Sequence, residues 1–243
     1  MVERCLAPTR SSAQALLLAG RVRFGTGDGA RTDRKAGELV DRDAIVELIE
    51  RAPFVSRGGE KLAAALHSLE VHLEGRICLD VGASTGGFTD CLLKAGARRV
   101  YALDVGRGQL SEELRRDPRV ISLERTHAAR LDPAHPDAVH LPEMVSLAVV
   151  DVSFISLTRI LAAVACAVAA GGEMVALVKP QFEAGPKDAP KGVVRDPAVR
   201  RAAVDRVRDH ASSLGLVVQG EVASVLAGPA GNRETFVHLR MPP

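Results

Sequence analysis

The sequence has few of the features that mark secreted, disulfide-bonded or membrane-spanning proteins. Its 243 residues include no Trp, one Tyr and only four Cys, and the Cys are far apart in the sequence, without a C-x-x-C pair. We therefore expect free thiols and a reducing, cytoplasmic environment. The longest apolar run, residues 160–170, is too short to cross about 30 Å of hydrocarbon, and no N-terminal apolar signal segment is visible.

Net charge is also nearly absent, because 32 basic and 30 acidic side chains leave only +2. The charge is nevertheless unevenly distributed, since residues 1–35 carry seven basic and three acidic side chains. This pattern places a weak positive field at the N-terminus. The seven His residues show neither H-E-x-x-H nor another ligand spacing, so we predict no metal site.

The patterns of apolar and turn residues predict two domains. Residues 1–52 read as a small α+β module, with a helix over 13–19 after Ser11 and Ser12, a stop at Gly20, and strands over 21–24 and 43–50. Residues 53–60 read as a linker. Residues 61–243 form the second predicted domain.

In the second domain, short apolar runs alternate with helical patterns, which predicts an α/β fold with a mostly parallel, Rossmann-like sheet. The predicted strands are 77–81, 99–104, 119–123, 146–152 and 173–179. The predicted helices are 87–96, 108–116, 156–169 and 197–213. Two strand-like segments, 215–224 and 235–240, are separated only by a turn-rich loop and predict a closing antiparallel hairpin.

A glycine-rich loop follows the first strand of this domain. The strand 77–81 runs into Gly82-Ala-Ser-Thr-Gly-Gly87, and Asp104 ends the next strand 22 residues after Gly82. Free backbone N–H groups and a carboxylate that can accept from ribose hydroxyls are typical of a nucleoside cofactor site.

The loop by itself is compatible with several functions. NAD favours G-x-G-x-x-G, but position 84 is Ser. The loop also matches the hydrolase pattern G-x-S-x-G, with Ser84 as nucleophile and His210 or His238 as base, and a tight turn without any ligand is a further alternative. Asp80 favours S-adenosylmethionine, because its charge would attract an ammonium and a sulfonium but repel a pyrophosphate.

Two more strand ends carry polar residues that a buried strand does not require. Asp151 ends the strand 146–152, and Lys179 ends the strand 173–179. The carboxyl ends of strands face the ligand crevice in open α/β sheets, so we expect Asp151 and Lys179 to converge beside the cofactor.

Five ordered motifs together resemble the TlyA family, whose members are often labelled hemolysin A. These are Ser-Arg-Gly-Gly-Glu-Lys-Leu at 56–62, Asp-Val-Gly-Ala-Ser-Thr-Gly-Gly-Phe-Thr-Asp at 80–90, Asp-Val-Ser-Phe-Ile-Ser at 151–156, Lys-Pro-Gln-Phe-Glu at 179–183 and Gly-Asn-Arg-Glu at 231–234. The resemblance covers nearly the whole chain. It implies a ribosomal RNA 2′-O-methyltransferase that acts on cytidine, with an FtsJ-like catalytic domain after an S-four-type RNA-binding domain.

The resemblance also implies roles for particular residues. It places the catalytic set on Lys61, Asp151, Lys179 and Glu234. Lys179 would remove the ribose hydroxyl proton, Asp151 would orient its amine, and the other two would hold the ribose. S-adenosylmethionine would be bound by Asp80, Gly82, Ala83, Ser84, Thr85, Gly86, Gly87, Phe88, Asp104, Val105 and His127. Ribosomal RNA within a subunit would be contacted by Arg10, Arg21, Arg23 and Arg57.

Some positions depart from the family pattern. The customary Arg-Leu-Asp segment that leads the first domain is missing, so we expect a shortened N-terminal module. His127 stands where the family often has Asn. Two alternatives to the enzyme remain open at this point: a membrane-active cytolysin, as the hemolysin label suggests, and a non-catalytic RNA-binding relative.

Overall fold

The computed structural model describes residues 1–18, 21–26, 30–31, 37–41, 43–49, 53–185, 187–228 and 230–243. The chain divides into two compact units, Met1–Ala52 and Pro53–Pro243. Three predicted features lie outside the described residues: the helix stop at 19–20, the last residue of the strand 43–50 and the end of the first domain at 52.

The first unit contains one helix and one pair of strands among its described residues. Helix α1 spans Arg10–Leu18, and β1 (Val22–Phe24) pairs antiparallel with β2 (Val46–Leu48). The helix begins earlier than predicted because Thr9, rather than Ser11 or Ser12, accepts a hydrogen bond from the Ser12 N–H at 3.1 Å. That the unit is an S-four-like RNA-binding module stays a prediction.

The second unit is built on a seven-stranded sheet with the order β5-β4-β3-β6-β7-β9-β8 in the described residues. The strands are β3 (Ile77–Val81), β4 (Arg99–Leu103), β5 (Val120–Leu123), β6 (Val145–Val150), β7 (Val168–Val178), β8 (Val217–Ala223) and β9 (Thr235–Arg240). Strands β3 to β7 run parallel, whereas β9 pairs antiparallel with both β7 and β8. The predicted parallel sheet with a C-terminal antiparallel hairpin is confirmed.

Helices cover both faces of this sheet. They are α2 (Arg57–Ser68), α3 (Gly87–Lys94), α4 (Glu112–Arg116), α5 (Leu161–Ala165), α6 (Pro180–Glu183) and α7 (Pro197–Ser213). Alternate residues of β3 pack on opposite faces, with Cys78 against the α2 and α3 side and Leu79 against the α5 and α7 side. Burial on both faces is why these strands read as continuous apolar runs.

Several elements differ in extent from the sequence predictions. The predicted helix 108–116 begins only at Glu112, because Gly108 has a left-handed backbone with φ +64°. The predicted helix 156–169 is a 3-10 turn (Leu157–Arg159) followed by the short α5, and β7 begins at Val168. The predicted linker 53–60 ends early, since Arg57 already starts α2.

The strand order places a ligand crevice at a defined point. The chain proceeds from β3 outward through β4 to β5, then returns to add β6 and β7 on the other side of β3. Because the connections that follow β3 and β6 lead to opposite sides of the sheet, a gap forms at the carboxyl ends of these two strands, where open α/β sheets bind ligands. This switch point lies between β3 and β6.

Candidate active site

The loops after β3 and β6 meet at the switch point. The Asp151 N–H donates to the Val81 carbonyl at 2.9 Å, and the Gly82 N–H donates to the Leu103 carbonyl at 2.8 Å. These backbone bonds continue the sheet beyond the strand ends, so the glycine loop and Asp151 lie side by side.

Glycine at positions 82 and 86 is required by both conformation and space. Gly82 has φ +89° and Gly86 has φ +98°, which is left-handed backbone that L side chains rarely adopt. A Cβ on Gly82 would lie 2.3 Å from the Asp151 carbonyl oxygen, and a Cβ on Gly86 would lie 2.3 Å from Leu114 Cδ1. The loop therefore keeps the ends of β3 and β6 in close approach.

Asp104 fixes this loop to the end of β4. Its Oδ2 accepts from the Ser84 N–H at 2.8 Å, and its Oδ1 accepts from the Gly106 N–H at 2.7 Å. Ser84 itself has φ +49°. Each carboxylate oxygen has a second lone pair, so these bonds leave Asp104 able to accept from ligand hydroxyls.

Asp80 lies on β3 just before the glycine loop and is fully buried. It shares the sheet face that packs on α3, where Thr89 Oγ1 donates to its Oδ2 at 2.7 Å. Its Oδ1 is buried and has no hydrogen-bond partner among the described residues. Burial raises the pKa of Asp80 from 3.8 to about 7, with smaller contributions from Asp151 and Asp104, while the Thr89 hydrogen bonds lower it.

Two adjoining cavities open at the switch point. The His127 cavity, about 550 Å³, lies between the loops after β3, β4, β5 and β6. The Lys61 cavity, about 470 Å³, lies beside it, against α2 and α3. They share the walls formed by Gly82, Ser84 and Asp151. Two ligands held in these cavities would therefore meet across Asp151 and the glycine loop.

The residues predicted to bind the cofactor are divided between these cavities. The His127 cavity is lined by Gly82, Ser84, Asp104, Val105 and His127. The Lys61 cavity is lined by Gly82, Ala83, Ser84, Thr85, Gly87 and Phe88. Asp80 and Gly86 are not among the described lining residues of either cavity. A larger cavity of about 830 Å³ lies between α2 and α3 beside Phe54 and His67, apart from all these residues.

The residues predicted to be catalytic form two ion pairs, and all of them line the Lys61 cavity. Lys61 Nζ lies 2.5 Å from Glu234 Oε2, and both side chains are almost completely buried. Lys179 Nζ lies 2.5 Å from Asp151 Oδ1 and 3.0 Å from Ser153 Oγ. The structure thus brings together residues from α2, from the ends of β6 and β7, and from the start of β9.

Some lining residues were not predicted from the sequence. Ser153, Phe154 and Arg159 from the loop after β6 line the His127 cavity. Phe154 is 91% exposed, has φ +66°, and its ring lies 5.2 Å from the ring of Phe182. The sequence signal that could have identified Phe154 is its position in the same short motif as Asp151. An apolar residue in such a motif is equally consistent with the hydrophobic core.

The hydrolase interpretation finds no geometric support. Ser84 lies after β3, whereas His238 lies on β9, three strands away in the sheet order, at about 4.8 Å per strand. The His238 imidazole is bonded to Glu173 Oε1 at 2.9 Å. His210 lies on α7, the helix that packs against β7, β8 and β9.

The arginines predicted to bind RNA have different environments. Arg10 is exposed at the start of α1. The Arg21 side chain donates to the Ile49 carbonyl at 3.3 Å, and Arg23 forms an ion pair with Glu47 at 2.5 Å. In the second unit, Arg57 lines the Lys61 cavity and donates to the Ala227 carbonyl at 3.2 Å.

The described ranges lack two other kinds of functional feature, a metal-ligand cluster and a membrane-spanning helix. Those residues contain no group of three or more His, Cys, Asp or Glu side chains that could hold a metal ion. In the same part of the chain, no helix is both long enough and apolar enough to cross a membrane.

Comparison with known proteins assigns the family. The family model described as FtsJ-like methyltransferase matches residues 54–241. The "16S/23S rRNA (cytidine-2′-O)-methyltransferase TlyA" of Mycobacterium tuberculosis is 45% identical over 243 residues, which cover 99% of this chain and 87% of that protein. This chain belongs to the TlyA family of FtsJ-like methyltransferases.

Solved structures agree with this assignment. A protein from Streptococcus thermophilus described as a hemolysin is 41% identical, with a TM-score of 0.76 over 96% of this chain and 83% of that one. A fibrillarin from Aeropyrum pernix, solved with bound S-adenosyl-L-methionine, has a TM-score of 0.51 over 74% of each chain. At 20% identity, the fibrillarin shows the shared methyltransferase fold alone. The predicted family and fold class are confirmed.

Proposed function

We propose that this TlyA-family chain transfers a methyl group from S-adenosylmethionine to a ribose 2′-hydroxyl of a cytidine in ribosomal RNA. The observation that carries the proposal is the shared wall of the two cavities: Asp151 lines both, and its partner Lys179 lines the Lys61 cavity. Donor and acceptor held in separate cavities would meet at this pair, which suits an in-line transfer. The mycobacterial relative with this reaction in its name supports the same chemistry.

The residues around the His127 cavity fit S-adenosylmethionine. The left-handed Gly82 has no side chain, so a ligand can approach the backbone closely where a Cβ would clash. The carboxylate of Asp104 can accept from ribose hydroxyls, and Val105 and Ala128 supply apolar surface for a base. The unpartnered Oδ1 of Asp80 places an acceptor behind the loop, which favours a positively charged group in front of it.

S-adenosylmethionine, when bound, supplies a methyl group on a sulfonium, and the sulfur keeps the electron pair when the methyl leaves. The protein must position the hydroxyl oxygen and remove its proton. Lys179 in its amine form takes that proton at Nζ as the 2′-oxygen forms its bond to the methyl carbon. Asp151 orients the Nζ, and the Lys61–Glu234 pair holds the ribose in the Lys61 cavity.

Substrate delivery would involve the first unit and Arg57. The first unit is proposed to act as an S-four-like RNA-binding module that uses Arg10, Arg21 and Arg23. Arg57, at the rim of the Lys61 cavity, would contact the RNA beside the target nucleotide. Because Arg23 is paired with Glu47, we expect it to contribute less to RNA affinity than Arg10. The substrate would be ribosomal RNA within a subunit, in the cytoplasm.

The test is methyl transfer to ribosomal subunits that lack the modification. Wild-type protein with S-adenosylmethionine carrying a labelled methyl should label the RNA, and Lys179→Ala should lower the rate at least 100-fold. The same variant should bind S-adenosylmethionine with a Kd within threefold of wild type, since Lys179 does not line the His127 cavity. Cofactor binding without transfer to either subunit would contradict the proposed substrate.

A further inference from the structure

The amine of Lys179 contacts two oxygen atoms of the same loop. Besides Asp151 Oδ1 at 2.5 Å, Lys179 Nζ lies 3.0 Å from Ser153 Oγ, and the Lys179 side chain is only 13% exposed. Lys179 and Asp151 line the Lys61 cavity, whereas Ser153 lines the His127 cavity. Of the two contacts, only the one with Ser153 comes from a residue that lines the His127 cavity alone, since Asp151 lines both cavities.

This arrangement determines where a proton can be accepted. A neutral primary amine has two N–H bonds and one lone pair, in roughly tetrahedral directions. A hydrogen bond from one N–H to Ser153 Oγ, beside the ion-pair contact with Asp151 Oδ1, restricts rotation of the amine, so the lone pair can be held toward the Lys61 cavity that Lys179 lines. With Asp151 alone, the amine can rotate about its terminal C–N bond, and the lone pair samples several directions.

The Ser153 loop is itself anchored at its far end. Ser156 Oγ donates to Glu183 Oε2 at 2.5 Å, and the Leu157 N–H donates to Glu183 Oε1 at 2.8 Å. Glu183 is buried and ends α6, the helix that begins directly after Lys179. The segments 151–157 and 179–183 are thus joined at both ends, which fixes Ser153 relative to Lys179.

We infer that Ser153 is a positioning residue that directs the lone pair of Lys179 toward the acceptor hydroxyl. This inference rests on the proposed function, because it assigns Ser153 a role in the same proton transfer. During that transfer the 2′-hydroxyl proton becomes the third N–H of Lys179, while the hydrogen bond to Ser153 and the ion pair with Asp151 are kept. Ser153 itself neither gains nor loses a proton.

The test compares Ser153→Ala with Ser153→Thr, which keeps the hydroxyl. We expect Ser153→Ala to lower kcat for methyl transfer at least tenfold, with the Kd for S-adenosylmethionine and the KM for RNA within threefold of wild type. Ser153→Thr should restore kcat to within threefold. A kcat for Ser153→Ala within twofold of wild type, or a loss that Thr does not restore, would overturn the inference.

A second measurement does not depend on turnover. The rate at which acetic anhydride acylates Lys179 in the ligand-free protein, followed by mass spectrometry, should rise severalfold in Ser153→Ala, because the amine becomes more mobile. The matched control is Ser156→Ala, which removes a hydroxyl from the same loop but keeps the Lys179–Ser153 contact and the Leu157 N–H bond to Glu183 that still anchors the loop, and its acylation rate should stay at the wild-type value. An unchanged rate in Ser153→Ala would contradict the inference.

The two measurements separate the inference from the proposed function. If wild-type protein transfers no methyl to RNA, the proposed substrate is wrong, and the acylation rates still decide whether Ser153 restrains Lys179. If transfer occurs and Ser153→Ala is as active as wild type, only the role of Ser153 is wrong.

Discussion

Lys61 and Glu234 are 173 residues apart in the sequence and form an almost completely buried ion pair, with Nζ and Oε2 separated by 2.5 Å. The pair joins α2 to the start of β9 across the wall of the Lys61 cavity. Removing one partner leaves a buried charge without compensation. We predict that Lys61→Met lowers the free energy of unfolding by about 3–5 kcal/mol, measured by urea denaturation.

The control is the double variant Lys61→Met/Glu234→Leu. Replacing both charges by apolar groups removes the unpaired carboxylate, so its stability should return to within about 1 kcal/mol of wild type, while methyl transfer stays lost. If Lys61→Met is as stable as wild type, the pair is not buried as described.

The raised pKa of Asp80 predicts that the stability of the folded protein depends on pH. Its pKa is about 7 in the folded protein and has its ordinary value of 3.8 when unfolded. Between these values the folded state binds a proton that the unfolded chain has released, so the contribution of Asp80 to stability falls as the pH rises from about 4 to 7. Asp80→Asn does not titrate, and its advantage over wild type should grow over that range, to at most about 4 kcal/mol at pH 8.

The measurement is the difference in unfolding free energy between Asp80→Asn and wild type at several pH values from 4 to 8. Because Asn cannot carry the negative charge, the variant should also bind S-adenosylmethionine more weakly at pH 8. A stability difference that does not change with pH would show that Asp80 is ionised throughout.

The close approach of Gly82 to Asp151 predicts that any side chain at position 82 would clash where β3 meets β6. In Gly82→Ala the new Cβ would lie 2.3 Å from the Asp151 carbonyl oxygen, so the two loops must separate. We expect a loss of at least about 2 kcal/mol in stability, together with weaker cofactor binding. Gly75→Ala is the matched control, since Gly75 also has a positive φ but has open space at the position that a Cβ would occupy. Equal losses for the two variants would contradict a steric role for Gly82.

Much of the fold could be predicted because local patterns decide it. The strand 77–81 has the same bounds in the structure, and α7 spans the predicted 197–213, since an apolar run bounded by turn residues and a helix that starts with Pro are local signals. The apolar run 160–170 lies, up to residue 169, in the predicted helix 156–169, because periodicity cannot distinguish a buried helix from a buried strand. Residues 168–170 instead begin β7, in which Val168 pairs with Val145 of β6 ahead of a register shift between Val145 and Leu147.

The site could be predicted only in part. Strand ends placed Asp151 and Lys179 together, as the parallel sheet requires. The pairing of Lys61 with Glu234 depends on the docking of α2 against β9, which no local pattern encodes. The place of Phe88 likewise depends on tertiary packing: it lines the Lys61 cavity, and its ring centroid lies 6.0 Å from that of Phe236.

The position of the transferred methyl distinguishes ribose methylation from base methylation directly. Ribosomal RNA labelled by wild-type protein is hydrolysed in alkali, which cleaves next to every free 2′-hydroxyl and leaves a 2′-O-methylated nucleotide within a resistant dinucleotide. The account predicts that the label is recovered in a dinucleotide that begins with cytidine, and that Lys179→Ala yields none. Label recovered in mononucleotides would mean that a base is methylated, and would contradict the assignment of Lys179 as the acceptor of a ribose hydroxyl proton.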